Sequence, residues 1–247
     1  MSFEEHASPT ARQVLVTGTS RNVGAHLANR FLDDGFAVIA QYRSETDELK
    51  ALAERGAALV QGDFSDASAC QAIAEQIAAQ ATSLTTIVHN ASAFSPTPAD
   101  SADAAAQFQA FFAVHMLAPY LLNTRLAPVM QANIDTPGDI IHITDIYADN
   151  PAAEYDIYCA TKAGLQNLAL SQAKRFAPRL KVNAIQPGPL SFEDWHDDSS
   201  REAVIASTPL QRAGAAEHIY IAVRALMLND FQTGAVVPVD GGRRLGR

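Results

Sequence analysis

Residues 13–31 read QVLVTGTSRNVGAHLANRF, the pattern of a strand, a glycine-containing turn and a helix in immediate succession. Gly18 and Gly24 frame the turn that follows Thr17. A glycine lets the backbone approach a pyrophosphate closely, and the first turn of a helix presents unpaired N–H groups and the positive end of the helix dipole. The stretch predicts a phosphate-binding turn, although the same pattern is typical of a strand-to-helix turn whose second glycine serves only packing.

Six further apolar runs follow, separated by longer alanine-rich helical stretches: FAVIAQY, AALVQ, TTIVHN, DIIHIT, KVNAIQP and AVVPVD. Runs that are apolar throughout are typical of strands covered on both faces, and parallel neighbours need crossover helices. We therefore predict an α/β fold, a Rossmann-like, doubly wound parallel sheet of about seven strands with helices on both faces. The sheet is expected to form a single domain over residues 1–247. Residues 1–11, 95–103 and 189–200 are expected to be mobile, the last as a lid over a substrate.

The composition excludes several classes of protein. A formal net charge of −9 argues against a broad nucleic-acid surface, which needs clustered Lys and Arg. The sequence has no uninterrupted apolar run of about eighteen residues, and its start, MSFEEHASPT, lacks the pattern of a signal peptide. Cys70 and Cys159 are too few for a disulfide framework, and the seven histidines form no metal-binding pattern. We expect a cytoplasmic protein that binds neither nucleic acid nor membrane and holds no metal.

The end of the second run carries a cation where a dinucleotide fold holds the adenosine ribose. Tyr42, Arg43 and Ser44 stand there, and none is an acid. A carboxylate at this place favours NAD, whereas a guanidinium and a hydroxyl suit a 2′-phosphate. The residues therefore favour NADPH, unless Arg43 is a solvated loop cation. Asp63, after the third run, is a candidate contact for the adenine amino group or, together with Asp66, for a helix cap.

The segment DIYADNPAAEYDIYCATK, residues 145–162, contains a carboxylate, a phenol and an ammonium. Tyr158 and Lys162 lie four residues apart in a helical pattern, so their side chains share one face. A nearby ammonium favours the phenolate, which is expected to bring the tyrosine pKa from about 10 toward a range useful for proton transfer. A Y-x-x-x-K match alone is usually a pair of surface residues, but its place behind a nucleotide turn favours catalysis.

Several ordered motifs resemble those of the short-chain dehydrogenase/reductase family, over nearly the whole chain. They are T-G-x-x-x-x-x-G, N-A-S after the fourth run, Y-x-x-x-K, and P-G after the sixth run. The resemblance implies that Tyr158 gives a proton to the substrate, that Lys162 orients the nicotinamide ribose, and that the cofactor transfers a hydride. It also implies a cofactor site formed by Gly18, Arg21, Asn22, Val23, Tyr42, Arg43, Ser44, Asp63, Phe64, Asn90, Ala91, Ser92, Tyr158, Lys162, Pro187 and Gly188.

Three positions depart from the usual pattern of that family. Asp145 stands thirteen residues before the tyrosine, where most members have a serine, and His115 replaces an asparagine of the helix after the fourth run. Asn22 replaces the middle glycine of the turn. The aspartate, N-A-S-x-F at residues 90–94 and H-x-x-x-P-Y-L-L at residues 115–122 resemble the pteridine reductases, and in particular the bacterial dihydromonapterin reductases.

This closer resemblance implies a pterin substrate. A pterin presents N–H donors, and reduction of its C=N bond needs a proton on nitrogen, which an Asp–Tyr pair can supply directly or through water. Phe94 is expected to stack on one face of the ring, and Ser92 to bind either the cofactor phosphate or the pterin amine. The catalytic residues are then Asp145, Tyr158 and Lys162, and the substrate-binding residues are Ser92, Phe94, Asp145, Tyr158 and Trp195.

Other roles remain open for the same residues. Asp145 is alternatively a capping residue in a strand-end turn, and Phe94 a core residue. His115, on an apolar helix, is expected to be structural rather than catalytic. Arg21 either substitutes for an arginine that the pteridine reductases carry one position later or leaves that contact missing, and Trp195 either touches the pterin side chain or anchors its loop.

We therefore predict an NADPH-dependent reductase that converts a 7,8-dihydropterin, such as dihydromonapterin, to the tetrahydropterin, with hydride to C6 and a proton to N5. One alternative is an NADPH-dependent carbonyl or 3-oxoacyl-thioester reductase in which Asp145 only positions Tyr158. Another is a non-catalytic NADP-binding regulator. Members of the family are commonly tetramers, so the resemblance also implies a homotetramer built through the long helices and the C-terminal strand.

Overall fold

The computed structural model describes residues 12–132, 137–190 and 197–246, and these contain one sheet of seven parallel strands. The strands are β1 (Gln13–Thr17), β2 (Ala37–Tyr42), β3 (Ala58–Gln61), β4 (Leu84–His89), β5 (Gly138–Ile143), β6 (Leu180–Pro187) and β7 (Val236–Val239). Their order across the sheet is β3-β2-β1-β4-β5-β6-β7. The predicted Rossmann-like, doubly wound sheet is confirmed, whereas the single domain over residues 1–247 stays a prediction.

The strands alternate with helices along the described parts of the chain. The helices are α1 (Asn22–Asp33), α2 (Asp47–Glu54), α3 (Cys70–Gln80), α4 (Ser101–Phe112), α5 (Ala118–Ala132), α6 (Asp156–Phe176), α7 (Asp198–Ala206) and α8 (Ala216–Leu228). A π-helical turn, Ala113–Leu117, joins α4 to α5 without a break. Of the segments expected to be mobile, residues 1–11 and the lid residues 191–196 lie outside the described residues.

Two apolar layers cover the two faces of the sheet. Along β1, Leu15 packs into the layer that contains the buried side chains of α3, α5 and α6. Val14 and Val16 point to the opposite layer, where Phe31 of α1 meets Tyr220 of α8 with ring centroids 5.3 Å apart. Every residue of β1 is buried because both faces are covered, which explains why this run is apolar almost throughout.

The continuous helical stretch Ser101–Ala132 is long and apolar enough to cross a membrane when judged by length and composition alone, with a hydropathy of 1.2. Its buried side chains include Leu122, Leu126 and Met130, which belong to the core layer formed with α3 and α6. Core helices pass the same test of length and composition, and packing against the sheet accounts for the apolar character of this one.

The order of the strands places a crevice at one edge of the sheet. From β1 the chain first builds β2 and β3 on one side and then returns to build β4 on the other side. The loops that leave the carboxyl ends of β1 and β4 therefore diverge, and a ligand crevice opens between them. The glycine turn, the N-A-S segment and the segments after β5 and β6 all meet at this edge.

A buried ion pair lies at the amino ends of β5 and β6. The ammonium of Lys181 is 3.0 Å from Oδ1 of Asp139, and the two side chains are 6% and 8% exposed. The same ammonium donates hydrogen bonds to the carbonyls of Leu226 and Asn229 at the end of α8, at 2.9 and 2.8 Å. Burial raises the pKa of Asp139 to about 7, against the opposing effect of Lys181.

Replacing Lys181 with methionine is expected to lower the free energy of unfolding by about 3 kcal/mol, because a buried carboxylate is left without its cation. The loss should grow with rising pH, since a carboxyl group whose pKa is raised in the folded state favours folding less as pH climbs above its unfolded value. Urea unfolding at two pH values measures both effects. The double variant Lys181→Met/Asp139→Leu should recover most of the loss; a double variant as unstable as the single one would contradict this account.

Candidate active site

A cavity of about 540 Å³ occupies the crevice at the carboxyl ends of the strands. Its lining includes Asp145, Tyr158 and Lys162, the three residues predicted to be catalytic. The predicted cofactor and substrate residues that also line it are Gly18, Arg21, Asn22, Val23, Arg43, Asp63, Phe64, Asn90, Ala91, Ser92, Phe94, Pro187 and Gly188. Residues from six strand ends and two helices therefore converge on one space.

The glycine turn is shaped both by its own packing and by the start of α1. Gly18 has a φ of 72°, and a Cβ added there would lie 2.7 Å from Cα of Ala91. A Cβ on Gly24 would collide with the carbonyl oxygen of Gly18. Arg21 is the N-cap residue of α1, and its side chain does not cap the helix. The first turn of α1 therefore faces the cavity with the polarity that suits an anion.

Hydrogen bonds clamp the end of β1 to the segment after β4. Oγ1 of Thr17 accepts from the backbone N–H groups of Asn90 and Ala91, both at 3.0 Å. The Asn90 amide donates to the carbonyls of Thr17 and Gly18, at 3.0 and 3.2 Å. Gln41 adds a third strand end, because its Oε1 accepts from the N–H of Gly18 at 3.1 Å. Sequence reasoning placed Asn90 at the cofactor site and missed these bonds of Thr17 and Gln41.

At the end of β2 the structure separates three residues that were predicted to act together. Arg43 is exposed and lines the cavity. Tyr42 and Ser44 are not among the lining residues, and their predicted contacts with the cofactor stay predictions. Tyr42 packs in the core beside Leu49 because consecutive strand residues point to opposite faces. The carbonyl of Ser44 accepts a hydrogen bond from the Ser20 hydroxyl at 2.8 Å.

Asp63 shapes its own loop at the rim of the cavity. Its Oδ1 accepts from the backbone N–H and from the hydroxyl of Ser65, at 2.9 and 2.7 Å. It therefore closes a local turn and does not cap α3, whose N-cap position is Ala69. The second carboxylate oxygen leaves Asp63 able to accept from a ligand, so the role at the adenine amino group stays a prediction.

Asp145 and Tyr158 are paired directly. The phenol of Tyr158 donates to Oδ2 of Asp145 at 2.8 Å, while Oδ1 of Asp145 accepts from the backbone N–H of Tyr147 at 2.9 Å. Asp145 is thus both the capping residue of a short turn and the partner of the phenol, and its catalytic role stays a prediction. The ammonium of Lys162 donates to the carbonyl of Ile143 at 3.0 Å and lies 5.6 Å from the centroid of the Tyr158 ring.

Burial dominates the protonation of this cluster. It raises the pKa of Asp145, against the lowering effects of the Tyr147 N–H, Lys162 and Tyr158. Burial, and then the charge and hydrogen-bonding of Asp145, hold the pKa of Tyr158 well above 10. Burial also lowers the pKa of Lys162 to about 8, although Asp145 opposes this. The prediction that Lys162 brings the phenol toward neutral pH is therefore wrong for this arrangement, because desolvation and the neighbouring carboxylate raise the pKa of Tyr158.

Aromatic side chains form one wall beside the phenol. Phe94 stacks on Tyr155 with centroids 4.7 Å apart and an interplanar angle of 29°. It also meets Tyr158 edge to face at 4.8 Å. Phe94 therefore packs in a small cluster and lines the cavity at the same time, while its stacking on a substrate ring stays a prediction. Trp195, predicted to contact the substrate, lies outside the described residues.

Tyr147 and Arg243 are among the lining residues that sequence reasoning missed. Tyr147 follows the β5 end, and its phenol pKa is raised by burial while the charge and hydrogen bond of Arg243 lower it. Arg243 comes from the C-terminal turn and also donates to the carbonyl of Val204 in α7 at 2.8 Å. A motif search has no signal for Arg243, since the residue reaches the cavity from a short turn far along the chain.

The arrangement of residues around the cavity defines the class of enzyme. A dinucleotide crevice with an Asp–Tyr pair and a lysine beside its floor is the site of a nucleotide-dependent oxidoreductase. A family model described as enoyl-(acyl carrier protein) reductase matches residues 18–244, and the chain belongs to the short-chain dehydrogenase/reductase family. No group of three or more potential metal ligands occurs within the described ranges.

Within that family the chain is similar to proteins named dihydromonapterin reductase. The one from Klebsiella pneumoniae is 32% identical over 239 residues, which cover 97% of this chain and 99% of that protein. The one from Escherichia coli strain K12 is 32% identical over 232 residues, covering 94% and 96%. The structure of FolM alternative dihydrofolate reductase 1 from Brucella canis complexed with NADP has a TM-score of 0.83 at 28% identity, covering 95% of this chain and 94% of that one. A SCOR enzyme from Clostridium thermocellum shares the fold, with a TM-score of 0.81 at 24% identity and coverage of 95% and 93%.

The Asp145→Asn variant is expected to have a lower pKa for Tyr158 than the unmodified protein, because it removes the charge that opposes phenolate formation. Isotope-labelled tyrosine followed by NMR against pH measures this value, with Tyr158→Phe used for assignment. Asp149→Asn is the matched control, since Asp149 lies in the same loop and pairs with Gln166 and Gln186. An equal shift in both variants would contradict the direct pairing.

Proposed function

We propose that this protein is an NADPH-dependent reductase that converts a 7,8-dihydropterin of the dihydromonapterin type to the tetrahydropterin, with hydride to C6 and a proton to N5. The observation that carries the proposal is the 2.8 Å hydrogen bond from Tyr158 to Asp145 inside the cavity. The similarity to proteins named dihydromonapterin reductase supports the choice of substrate.

The residues of the crevice fit a dinucleotide phosphate. The start of α1 is not capped by the Arg21 side chain and faces the cavity, while Arg43 stands exposed at the end of β2. We assign the 2′-phosphate to Arg43 and the pyrophosphate to the turn between Gly18 and Val23. When bound, the nicotinamide of NADPH supplies the hydride. Lys162, whose ammonium is fixed by the carbonyl of Ile143, would orient the adjoining ribose.

Proton delivery falls to the pair formed by Tyr158 and Asp145. The raised pKa of Tyr158 keeps its phenol protonated near neutral pH, and the hydrogen bond to Asp145 holds that proton within the pair. The phenol ring also meets Phe94 of the aromatic wall edge to face. Tyr158 or Asp145 would release one proton to N5 as carbon receives the hydride, and the pair would regain it from water. A carboxyl group suits this task better than a serine hydroxyl, since it stores a proton as well as accepting hydrogen bonds from the N–H groups of a pterin.

Substrate binding would use the wall beside the phenol. The Phe94 ring, already stacked on Tyr155, offers a flat apolar surface for one face of the pterin. Ser92 lines the cavity next to it. The contact predicted for Trp195 remains part of the proposal.

The assembly and location are further proposals. Several large apolar side chains on the long helices are exposed. Phe108 and Phe112 of α4 are 48% and 43% exposed, Tyr120 of α5 is 40% exposed, and Leu170 of α6 is 36% exposed. Such an apolar strip on long helices supports contact with further copies of the same chain, and we propose a homotetramer. We also propose a cytoplasmic enzyme that binds neither nucleic acid nor membrane, for which the net charge of −9 is the main support.

Activity separates this proposal from its alternatives. The purified protein should oxidise NADPH in the presence of 7,8-dihydromonapterin, which is measured as a loss of NADPH absorbance. The Tyr158→Phe variant should have a kcat lower by about 100-fold or more. Tyr155→Phe keeps the ring that stacks on Phe94 and serves as the matched control. Preference for a 3-oxoacyl thioester would instead favour the carbonyl reductase in which Asp145 only positions Tyr158. Unchanged cellular phenotypes in the Tyr158→Phe strain would favour a non-catalytic regulator.

The choice of cofactor has its own test in Arg43. Arg43→Ala should raise KM for NADPH by about tenfold or more, because a charge-assisted hydrogen bond to the 2′-phosphate is lost. The KM for NADH should stay nearly constant. Lys50→Ala removes a neighbouring exposed cation that pairs with Asp47 and is the matched control. Equal changes for the two nucleotides would refute the role of Arg43.

A further inference from the structure

His115 joins two separate parts of the site through its two ring nitrogens. It lies in the π-helical turn Ala113–Leu117, and its side chain is fully buried. Nε2 is 2.9 Å from Oγ of Ser92 and 3.3 Å from the backbone nitrogen of Ala93, both in the segment after β4. Nδ1 is 2.8 Å from Oγ1 of Thr161 in α6, one turn beyond Tyr158.

The backbone contact fixes the state of Nε2. A backbone N–H can only donate, so the bond from Ala93 requires a lone pair on Nε2 of His115. Nε2 therefore carries no proton. A neutral imidazole has one protonated nitrogen, so the proton of His115 belongs on Nδ1.

The other side of the ring gives the same answer independently. The hydroxyl of Thr161 donates its single proton to the carbonyl of Tyr158 at 2.9 Å. Its oxygen can then only accept from Nδ1 of His115, which must be protonated. Burial, followed by the charge of Lys162, holds the pKa of His115 well below its usual range, which agrees with a neutral ring.

The protonation state of His115 determines the direction of the Ser92 hydroxyl. A bare Nε2 at 2.9 Å is a hydrogen-bond acceptor, so Ser92 must donate its only proton to it. The remaining lone pairs of the Ser92 oxygen are then the only hydrogen-bonding capacity that its side chain offers to the cavity, which Ser92 lines beside Phe94.

We propose that His115 is a positioning residue that holds the Ser92 hydroxyl as a hydrogen-bond acceptor toward the cavity, so that the site selects a substrate edge bearing an N–H donor at this point. This inference rests on the proposed function and deepens it. Of the two partners open to Ser92, a phosphate oxygen offers only acceptors and is disfavoured, whereas the 2-amino group of a dihydropterin offers the required donor.

The tautomer can be observed directly in the whole protein bound to NADP⁺. Long-range proton–nitrogen NMR on isotope-labelled histidine should show His115 as the neutral, Nδ1-protonated form, unchanged from about pH 5 to about pH 8. His115→Gln serves for assignment. A protonated Nε2, or titration of the ring within this range, would overturn the proposal.

Selectivity is tested with dihydromonapterin and its analogue that carries oxygen in place of the 2-amino group. Ser92→Ala should lower kcat/KM for the amino substrate by about tenfold and change that for the oxo analogue by less than about twofold. Ser95→Ala is the matched control, since Ser95 is in the same segment, accepts from Gln107 and is not among the cavity-lining residues. Equal losses on both substrates in Ser92→Ala would overturn the selection of a donor.

His115→Leu tests the link between the two residues. The variant removes the acceptor, so the Ser92 hydroxyl becomes free to donate into the cavity, and the ratio of kcat/KM for amino over oxo substrate should fall about as far as in Ser92→Ala. The double variant should add little to either single change. If His115→Leu folds and the ratio of kcat/KM for the two substrates is unchanged, His115 does not control the Ser92 hydroxyl. If the variant does not fold, the NMR result and the Ser92→Ala result together test the proposal. If the protein reduces neither pterin but NMR shows His115 protonated on Nδ1, the proposed function is contradicted. The conclusion that the Ser92 hydroxyl donates to His115 is then retained.

Discussion

The hydrogen bonds between the end of β1 and the segment after β4 hold the whole crevice together. Oγ1 of Thr17 accepts two backbone N–H groups, and the Asn90 amide returns two hydrogen bonds to the carbonyls of Thr17 and Gly18. These bonds lie where the order of the strands reverses, so the loops on either side diverge from a fixed point. These hydrogen bonds therefore fix the position of the glycine turn relative to the segment that carries Ser92 and Phe94.

Burial at this crevice shifts the pKa values of three neighbouring groups away from their values in water. The pKa of Asp145 is raised, that of Lys162 is lowered to about 8, and the phenol of Tyr158 is held neutral. Each change favours the uncharged form of its group, as a poorly solvated environment requires. The Asp145 carboxyl group accepts the hydrogen bond of the phenol, and groups with pKa values shifted by burial and a charged partner are typical of functional sites.

His115 connects the segment after β4 to the helix that carries Tyr158. It does so through Ser92 and Ala93 on one side and Thr161 on the other. Since each hydroxyl has one proton and each backbone N–H can only donate, the directions of these bonds are mutually dependent. The orientation of the Ser92 hydroxyl at the cavity wall therefore depends on His115, which is fully buried.

Local patterns predicted the parallel sheet, the turn at Gly18 and the shared face of Tyr158 and Lys162, because periodicity and covalent spacing are properties of neighbouring residues. The same patterns grouped Tyr42 with Arg43, yet the side chain of Tyr42 packs in the core and Arg43 lines the cavity. They also assigned Tyr158 a lowered pKa, whereas burial and Asp145 raise it. Arg243 reaches the cavity from a distant turn, and Thr161 of α6 meets His115 from another part of the chain. Burial, hydrogen-bond direction and the meeting of remote side chains depend on how whole elements pack, and no stretch of sequence contains that information.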